Sequence, residues 1–307
     1  MPLARQVRNQ LLKSSGLLYP EVAIFDVTHK CTSKCGGCAF REPEQGELGW
    51  RQWAALAREA RELGFREIMI TGGEPLSRPD AADILRRTSQ ELPVSLMTNG
   101  LALKKHADVV RATVARVFVS WDAHDETTYE QIRGVRGLSA VRDGVRAITG
   151  MYVHARVTVW NANVNHLTEI RDAAVETGFT EMSLLAADTT SGGFGKRQGV
   201  ENAPATDSTM VRRFFSESQG RFLAMSDYAK SRLLALIDGT PSPPRCAAPW
   251  TSGVVGPTGT WSHCFFLETT ATTEFGLRAA MRSTRPARRA LDIATNPVCA
   301  RCVCWRG

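Results

Sequence analysis

Glu21-Val22-Ala23-Ile24-Phe25-Asp26-Val27-Thr28-His29-Lys30-Cys31-Thr32-Ser33-Lys34-Cys35-Gly36-Gly37-Cys38 is the stretch on which the reading of this chain turns. Its first seven residues, Glu21–Val27, are mostly aliphatic, aromatic or β-branched and read as a strand. The strand empties into a loop that carries three thiols spaced C-x3-C-x2-C. The pattern recurs outward from there. Short β-like runs at Glu67–Ile70, Val94–Met97, Arg116–Val119, His154–Trp160 and Glu181–Leu185 alternate with helical stretches. Arg51–Leu63 repeats Trp53, Leu56, Ala57, Ala60 and Leu63 at helical spacing and stops at Gly64. Leu167–Thr177 is a second such helix, with Asn165 the expected N-cap and Gly178 the stop. Six strand–helix units imply an α/β fold with a parallel sheet.

The residues just after each strand carry the functional signal. The first run meets Thr28-His29-Lys30-Cys31, the second Thr71-Gly72-Gly73-Glu74-Pro75, the third Thr98-Asn99-Gly100 and the fourth Ser120-Trp121-Asp122. Asn161 and Asn163 come after the fifth, and Asp188 after the sixth. The carboxyl ends of parallel barrel strands share one rim, and that rim is where chemistry is done. Thr, Ser, Gly and Pro then dominate Thr189–Ser208, which reads as the end of the barrel and a linker. Val211–Ser216 and Ser226–Asp238 look helical, and Pro241-Ser242-Pro243-Pro244 opens a cysteine-bearing end. The expected division is an N-terminal extension over 1–20, a barrel over 21–204, a helical linker over 205–240 and a C-terminal module over 241–307.

Composition narrows the function classes. The 307 residues are 43% hydrophobic and 22% charged, which excludes collagen-like and broadly disordered chains. No stretch reaches the roughly 20 apolar residues of a spanning helix, and the start lacks the marks of a secretory signal, so a soluble cytoplasmic protein is expected. The formal charge of +7 permits an anionic substrate but does not argue for nucleic acid or a membrane. Arg278, Arg282, Arg285, Arg288 and Arg289 read as a solvated face. Eight cysteines (Cys31, Cys35, Cys38, Cys246, Cys264, Cys299, Cys302 and Cys304) in a chain of this length point to metal binding rather than disulfides.

Three thiolates on one loop can hold three irons of a [4Fe–4S] cluster and leave the fourth open to a cofactor. A structural zinc site wants a fourth ligand, for which His29 or a carboxylate is the nearby candidate. The combination of Cys31, Cys35 and Cys38 after the first strand, Gly72-Gly73-Glu74-Pro75 after the second, Thr98-Asn99-Gly100 after the third and Ser120-x-Asp122 after the fourth resembles the radical S-adenosylmethionine (SAM) superfamily, over about Val22–Asp188. The resemblance implies a partial (β/α)6 TIM-like barrel, a SAM-binding [4Fe–4S] cluster on the three cysteines and a 5'-deoxyadenosyl radical that abstracts a substrate hydrogen atom. It assigns Gly72, Gly73 and Glu74 to the methionine amino group, Asn99, Ser120 and Asp122 to the ribose or carboxylate of SAM, and Arg133 to the SAM carboxylate. The family usually has a large or aromatic residue before the third cysteine, packed near the adenine. Here it is Gly37, and Phe40 or another ring is expected to serve instead.

Cys246-x12-Gly259-x4-Cys264 followed by Cys299-x2-Cys302 is similar to the twitch form of the SPASM extension, a small hairpin-and-helix module with an auxiliary [4Fe–4S] cluster. Gly256-Pro257-Thr258-Gly259 reads as the hairpin turn. The alternative for these four thiolates is zinc. Four cysteine ligands would fill the cluster and suit it to accept an electron, which favours oxidation of a carbon centre. Cys304 is left over and could return a hydrogen atom in an epimerisation. Asp188 and Asp122 are the candidate bases for the proton of an oxidised alcohol. Arg156 could hold an anion in the barrel or form an ion pair; His124 and His263 read as turn or surface residues, and Trp121, Trp160 and Trp261 as core or pocket wall. The compact layout, with about 20 residues before the first strand, favours a small hydroxylated or amino sugar as substrate. A ribosomally made precursor peptide is the alternative, and a non-catalytic zinc or iron–sulfur protein a remote one. A flavodoxin or ferredoxin is the expected electron donor.

Overall fold

The computed structural model describes residues 11, 15, 20–187, 203–218, 222–240, 242, 246–267, 271–294, 296 and 299. Asp188, Cys302 and Cys304 lie outside the described residues. Six strands, β1 (Val22–Asp26), β2 (Glu67–Thr71), β3 (Val94–Thr98), β4 (Arg116–Ser120), β5 (Tyr152–Val159) and β6 (Glu181–Ala186), lie side by side in chain order, every pair parallel. The crossovers carry helices α1 (Trp50–Glu62), α2 (Ala81–Ser89), α3 (Ala107–Thr113), α4 (Glu126–Arg133), α5 (Leu138–Ala147) and α6 (Leu167–Thr177). This is the partial (β/α)6 arrangement the sequence led us to expect, and the sheet does not close on itself.

The helices form where apolar residues fall on one stripe. In α1, Trp53, Leu56, Ala57 and Ala60 are buried, and Gly64 follows the last turn with a left-handed φ of 88°. Helix α6 ends at Gly178 as read, but its start differs. Asn165 lies inside a 3-10 turn (Val164–His166), and His166 holds the cap position without a side-chain bond. The extra turn moves the cap one residue on. Beyond the barrel come α7 (Thr209–Glu217) and α8 (Asp227–Ile237), and Ser226 caps α8 through the Ala229 N–H.

Strand alternation gives the sheet two chemically different faces. Val117, Val119, Val153, Ala155, Val157, Val159, Met182 and Leu184 join the helices in one large core. The opposite face holds a small apolar group, Val22, Ile24, Met69 and Val254. By the same alternation, Phe118, His154, Arg156 and Ser183 continue that inner face across β4, β5 and β6.

The C-terminal end is continuous with the barrel sheet. After α9 (Ala248–Thr251), β7 (Ser252–Val255) pairs in parallel with the free side of β1. β8 (Thr260–Ser262) and β9 (Ala271–Thr272) then add antiparallel strands. The expected turn is present, with Gly256 N–H donating to Thr260 O at 2.7 Å. Helices α10 (Leu277–Ser283) and α11 (Arg285–Ala290) cover the hairpin, and the Leu277 N–H reaches Glu59 of α1 at 2.7 Å. Arg288 departs from the solvated face read for the arginine run. It is 2% exposed and donates to Met281 O, with its guanidinium 3.3 Å from His263. Helix α11 turns this one arginine inward while Arg278, Arg282, Arg285 and Arg289 stay exposed.

Gly253 of β7 faces the fully buried ring of Trp261, whose nearest atom would lie 1.8 Å from an added Cβ. Gly253→Ala is expected to lower stability by about 1–3 kcal/mol through overpacking, read as a drop in the denaturant midpoint.

Candidate cofactor-binding site

The loop after β1 has little regular structure, so its shape must come from its neighbours. The turn after β2 supplies the first clamp. Gly73 N–H donates to Thr28 O at 2.7 Å and Glu74 N–H to Lys30 O at 2.8 Å. Both glycines are needed for that approach: a Cβ at Gly72 would meet Thr28 O at 2.4 Å, and one at Gly73 would meet Lys30 O at 2.4 Å. Glu74 is fully buried, and its carboxylate accepts from Leu76 N–H, Thr98 Oγ1 and Asn99 N–H at 2.6–3.0 Å. Burial pushes its pKa up, partly offset by those donors. Glu74 therefore ties the end of β2 to the end of β3.

Asn99 extends the bracket to the cysteines. Its Nδ2 donates to Thr32 Oγ1 at 2.9 Å and Ser33 Oγ at 3.0 Å, and lies 3.9 Å from Cys31 Sγ. From the other side comes the end of α4. Lys34 N–H donates to Arg133 O at 2.8 Å, and Gly134, at φ 66°, has no room for a Cβ against Lys34 O. The Arg133 Nη1 donates to Cys35 Sγ at 3.6 Å, and Nη2 pairs with Asp122 at 2.7 Å. Burial opposes this charge, but Asp122 and the Cys35 thiol hold it above its usual range. The other Asp122 oxygen accepts the Thr158 N–H at 2.7 Å. Asp122, expected as a base or a SAM contact, thus joins α4 to β5. Ser120 ends β4 opposite Arg156.

The three thiols stand close enough for Cys35 and Cys38 to act on the charge of Cys31, whose thiol burial pushes up to about 11. Ser33 N–H points at Cys31 Sγ at 3.4 Å. Among the described residues no three His, Cys, Asp or Glu side chains converge as they would on a single ion. A cubane takes one thiolate per iron and needs no such convergence. Three buried polar atoms near this loop have no hydrogen-bond partner: Asp26 Oδ1, Tyr129 OH and Arg133 Nε. Such atoms suit a polar ligand. His29 bridges Asp26 at 2.9 Å and Glu44 at 2.5 Å; burial disfavours its protonation, but the two carboxylates more than offset it. Phe40 stacks on His29 at 4.0 Å, and the ring that covers Gly37 belongs to Trp160.

In the C-terminal end the same N–H···S pattern recurs. Ala248 N–H meets Cys246 Sγ at 3.3 Å and Phe266 N–H meets Cys264 Sγ at 3.4 Å. Cys299 packs with Trp250, Ile293 and Cys246, and burial pushes its thiol up to about 11. Backbone donors aimed at sulfur favour thiolate ligation.

A model of the radical SAM superfamily matches residues 25–171. The chain carries a radical SAM domain. The chain is 27% identical over 236 residues to the PqqA peptide cyclase of Streptomyces rochei, 72% of this chain and 64% of that one. It is 37% identical over 123 residues to a probable GTP 3',8-cyclase of Archaeoglobus fulgidus, 39% of this chain and 41% of that one. The chain thus spans less than two thirds of the length of these relatives. Among solved structures, Streptococcus suis SuiB bound to its precursor peptide SuiA superposes with a TM-score of 0.72 at 15% identity, over 98% of this chain and 75% of SuiB. anSMEcpe with bound AdoMet gives 0.64 at 13% identity, over 90% and 84%. The domain match agrees with SAM and a [4Fe–4S] cluster as cofactors, and the two structural likenesses agree with the fold.

Sequence reasoning missed Asp26, Tyr129 and, apart from Arg156, the inner-face group on β5 and β6. There, His154 Nε2 lies 2.8 Å from Ser183 Oγ, and its Nδ1 faces Glu181 at 3.6 Å and the Tyr152 hydroxyl at 3.4 Å. Tyr152 also donates to Glu181. A strand-period count would have put Tyr152, His154 and Arg156 on one face. Burial, then the Arg156 charge, lowers the His154 pKa to about 4.

Two substitutions probe these contacts. Glu74→Gln turns an acceptor into an amide facing three donors and is expected to lower stability by about 1–3 kcal/mol, read by chemical denaturation. His154 titrates near 4 when folded, against 6.5 ordinarily, so the unfolded chain takes up its proton first as pH falls. Its contribution is complete above pH 6.5 and is lost between 6.5 and about 4. His154→Gln is expected to flatten the melting temperature against pH in that window, with Glu181, Tyr152, Ser183, Arg156 and Phe118 left in place around it.

Proposed function

We propose that this enzyme of the radical SAM superfamily modifies a ribosomally made peptide. The supporting observation is the 27% identity over 72% of the chain to a peptide cyclase, a match that extends beyond the 25–171 domain in length. The whole-chain likeness in fold to SuiB, solved with a peptide, accords with it. The small hydroxylated or amino sugar expected from the compact layout is the weaker reading beside these relatives.

In this proposal Cys31, Cys35 and Cys38 hold the SAM cluster, and Cys246, Cys264 and Cys299 hold the auxiliary one, with Cys302 the expected fourth ligand. When bound, SAM and its cluster supply a 5'-deoxyadenosyl radical that takes a hydrogen atom from substrate. The protein supplies position and dryness. Gly72 and Gly73 let the backbone after β2 close on the cysteine loop. Arg133, held by Asp122, offers its free Nε–H to a carboxylate, and Asp26 offers Oδ1 to an ammonium. Asp122, with its oxygens held by Arg133 and Thr158, acts as a positioning residue. The inner face with Phe118, His154, Arg156 and Ser183 receives the substrate, and His154, neutral at pH 7, can accept a proton there. Oxidation of the peptide is the reaction class that an auxiliary cluster able to accept an electron suits.

The test is incubation of the reconstituted chain, SAM and reductant with each short peptide found to be encoded beside its gene, synthesised with deuterated side chains. Deuterium appearing in 5'-deoxyadenosine together with a peptide mass change is expected. Label transferred only from members of a deuterated amino-sugar panel would overturn the peptide reading.

A further inference from the structure

Tyr129 brings a hydroxyl to a buried place where, among the described residues, it has no hydrogen-bond partner. The side chain is fully buried, and its ring belongs to the main apolar core. A phenylalanine would fill the ring's place as well. A buried phenol normally finds a partner, because losing water without one costs free energy.

The hydroxyl belongs to the surroundings of the cysteine loop. Tyr129 and Arg133 stand one turn apart on α4, so they share a face of it. The helix is fixed at both ends. Asp125 accepts the Thr128 N–H at 2.9 Å before it, and Gly134 follows it with Lys34 O where a Cβ would stand. From that face Arg133 donates to Cys35 Sγ at 3.6 Å and pairs with Asp122 at 2.7 Å. The Tyr129 hydroxyl lies within electrostatic reach of the same groups and bonds to none of them. Of the acidic groups that act on it, Cys35 is the strongest, ahead of Asp122 and Glu126. Asp122 already accepts from Arg133 and from the Thr158 N–H. Burial raises the pKa of the phenol, so at neutral pH it is a donor.

We propose that the Tyr129 hydroxyl is a hydrogen-bond donor reserved for the iron–sulfur cluster at Cys35, received by the Cys35 thiolate or by a cluster sulfide beside it. Negatively charged sulfur is the acceptor that such a donor suits. Donors to cluster sulfur favour the more negative, reduced form and raise its potential. One face of α4 then offers this ligand two donors, a charged one from Arg133 and a neutral one from Tyr129. Tyr129 in this role is a positioning residue that sets how readily the cluster takes up an electron. The inference rests on Cys31, Cys35 and Cys38 holding that cluster, and not on the substrate being a peptide.

The test is Tyr129→Phe in the full chain, which removes only the hydroxyl. In the reconstituted protein without substrate, a redox titration follows the cluster whose electron paramagnetic resonance spectrum changes on later addition of SAM. Its midpoint potential is expected to fall by a roughly threefold to tenfold change in the one-electron equilibrium, the range of one hydrogen bond, or about 30–60 mV. The potential of the auxiliary cluster is expected to stay where it is. In the iron-free protein the sign reverses: the denaturant midpoint of Tyr129→Phe is expected at or above that of the parent, because the lost hydroxyl had no partner there. An unmoved potential would overturn the proposal. So would a lower denaturant midpoint in the iron-free variant, which would give the hydroxyl a partner in the protein. An unmoved potential with weaker binding of labelled SAM would assign the hydroxyl to SAM instead. A parent chain with no SAM-responsive cluster would overturn the reading of the three cysteines, and this proposal with it.

Discussion

Everything at this rim serves one constraint: a loop with little regular structure must keep three thiols in fixed positions. A strand or helix would hold its own backbone, but the segment from Thr28 to Cys38 depends on partners from four other places. The turn after β2 gives it two backbone bonds, β3 gives it the Asn99 amide, the end of α4 meets it at Lys34 and Cys35, and Trp160 lies on Gly37. Each partner arrives from a separate strand–helix unit, so the loop's shape depends on the whole half-barrel being assembled.

This changes how the short motifs are understood. The glycines after β2 matter because two carbonyl oxygens of the loop stand where their side chains would be. Glu74, Asn99 and Asp122 place their polar atoms largely on other parts of the protein. Such residues hold the site in advance of any ligand, which is how a protein lowers the reorganisation needed at the moment of reaction. The atoms left without partners, on Asp26, Tyr129 and Arg133, sit among these braces.

The sequence was most legible where a local rule sufficed. Alternating runs and helical stripes gave all six barrel strands, and Gly256-Pro257-Thr258-Gly259 gave the hairpin. The cysteine spacing and the glycines marked the rim. What stayed hidden depended on distant pairing. Nothing local says that β7 should join β1, that Arg288 alone of its run turns inward to His263, or that a tryptophan 123 positions beyond Gly37 should cover it. The inner-face role of His154 also needed the register of β5 against β6.

The parallel pairing of β7 with β1 also bears on how the chain is made. Val22 stands opposite Ser252, so one side of β1 has no strand partner until the ribosome has synthesised about 230 further residues. Val22–Asp26 is entirely buried in the finished sheet. During synthesis that apolar strand would present an open row of peptide groups, a template for pairing with another nascent chain. The strand that leads into the cysteines is thus the last of the barrel strands to be completed, and insertion of iron too early would meet a half-built support.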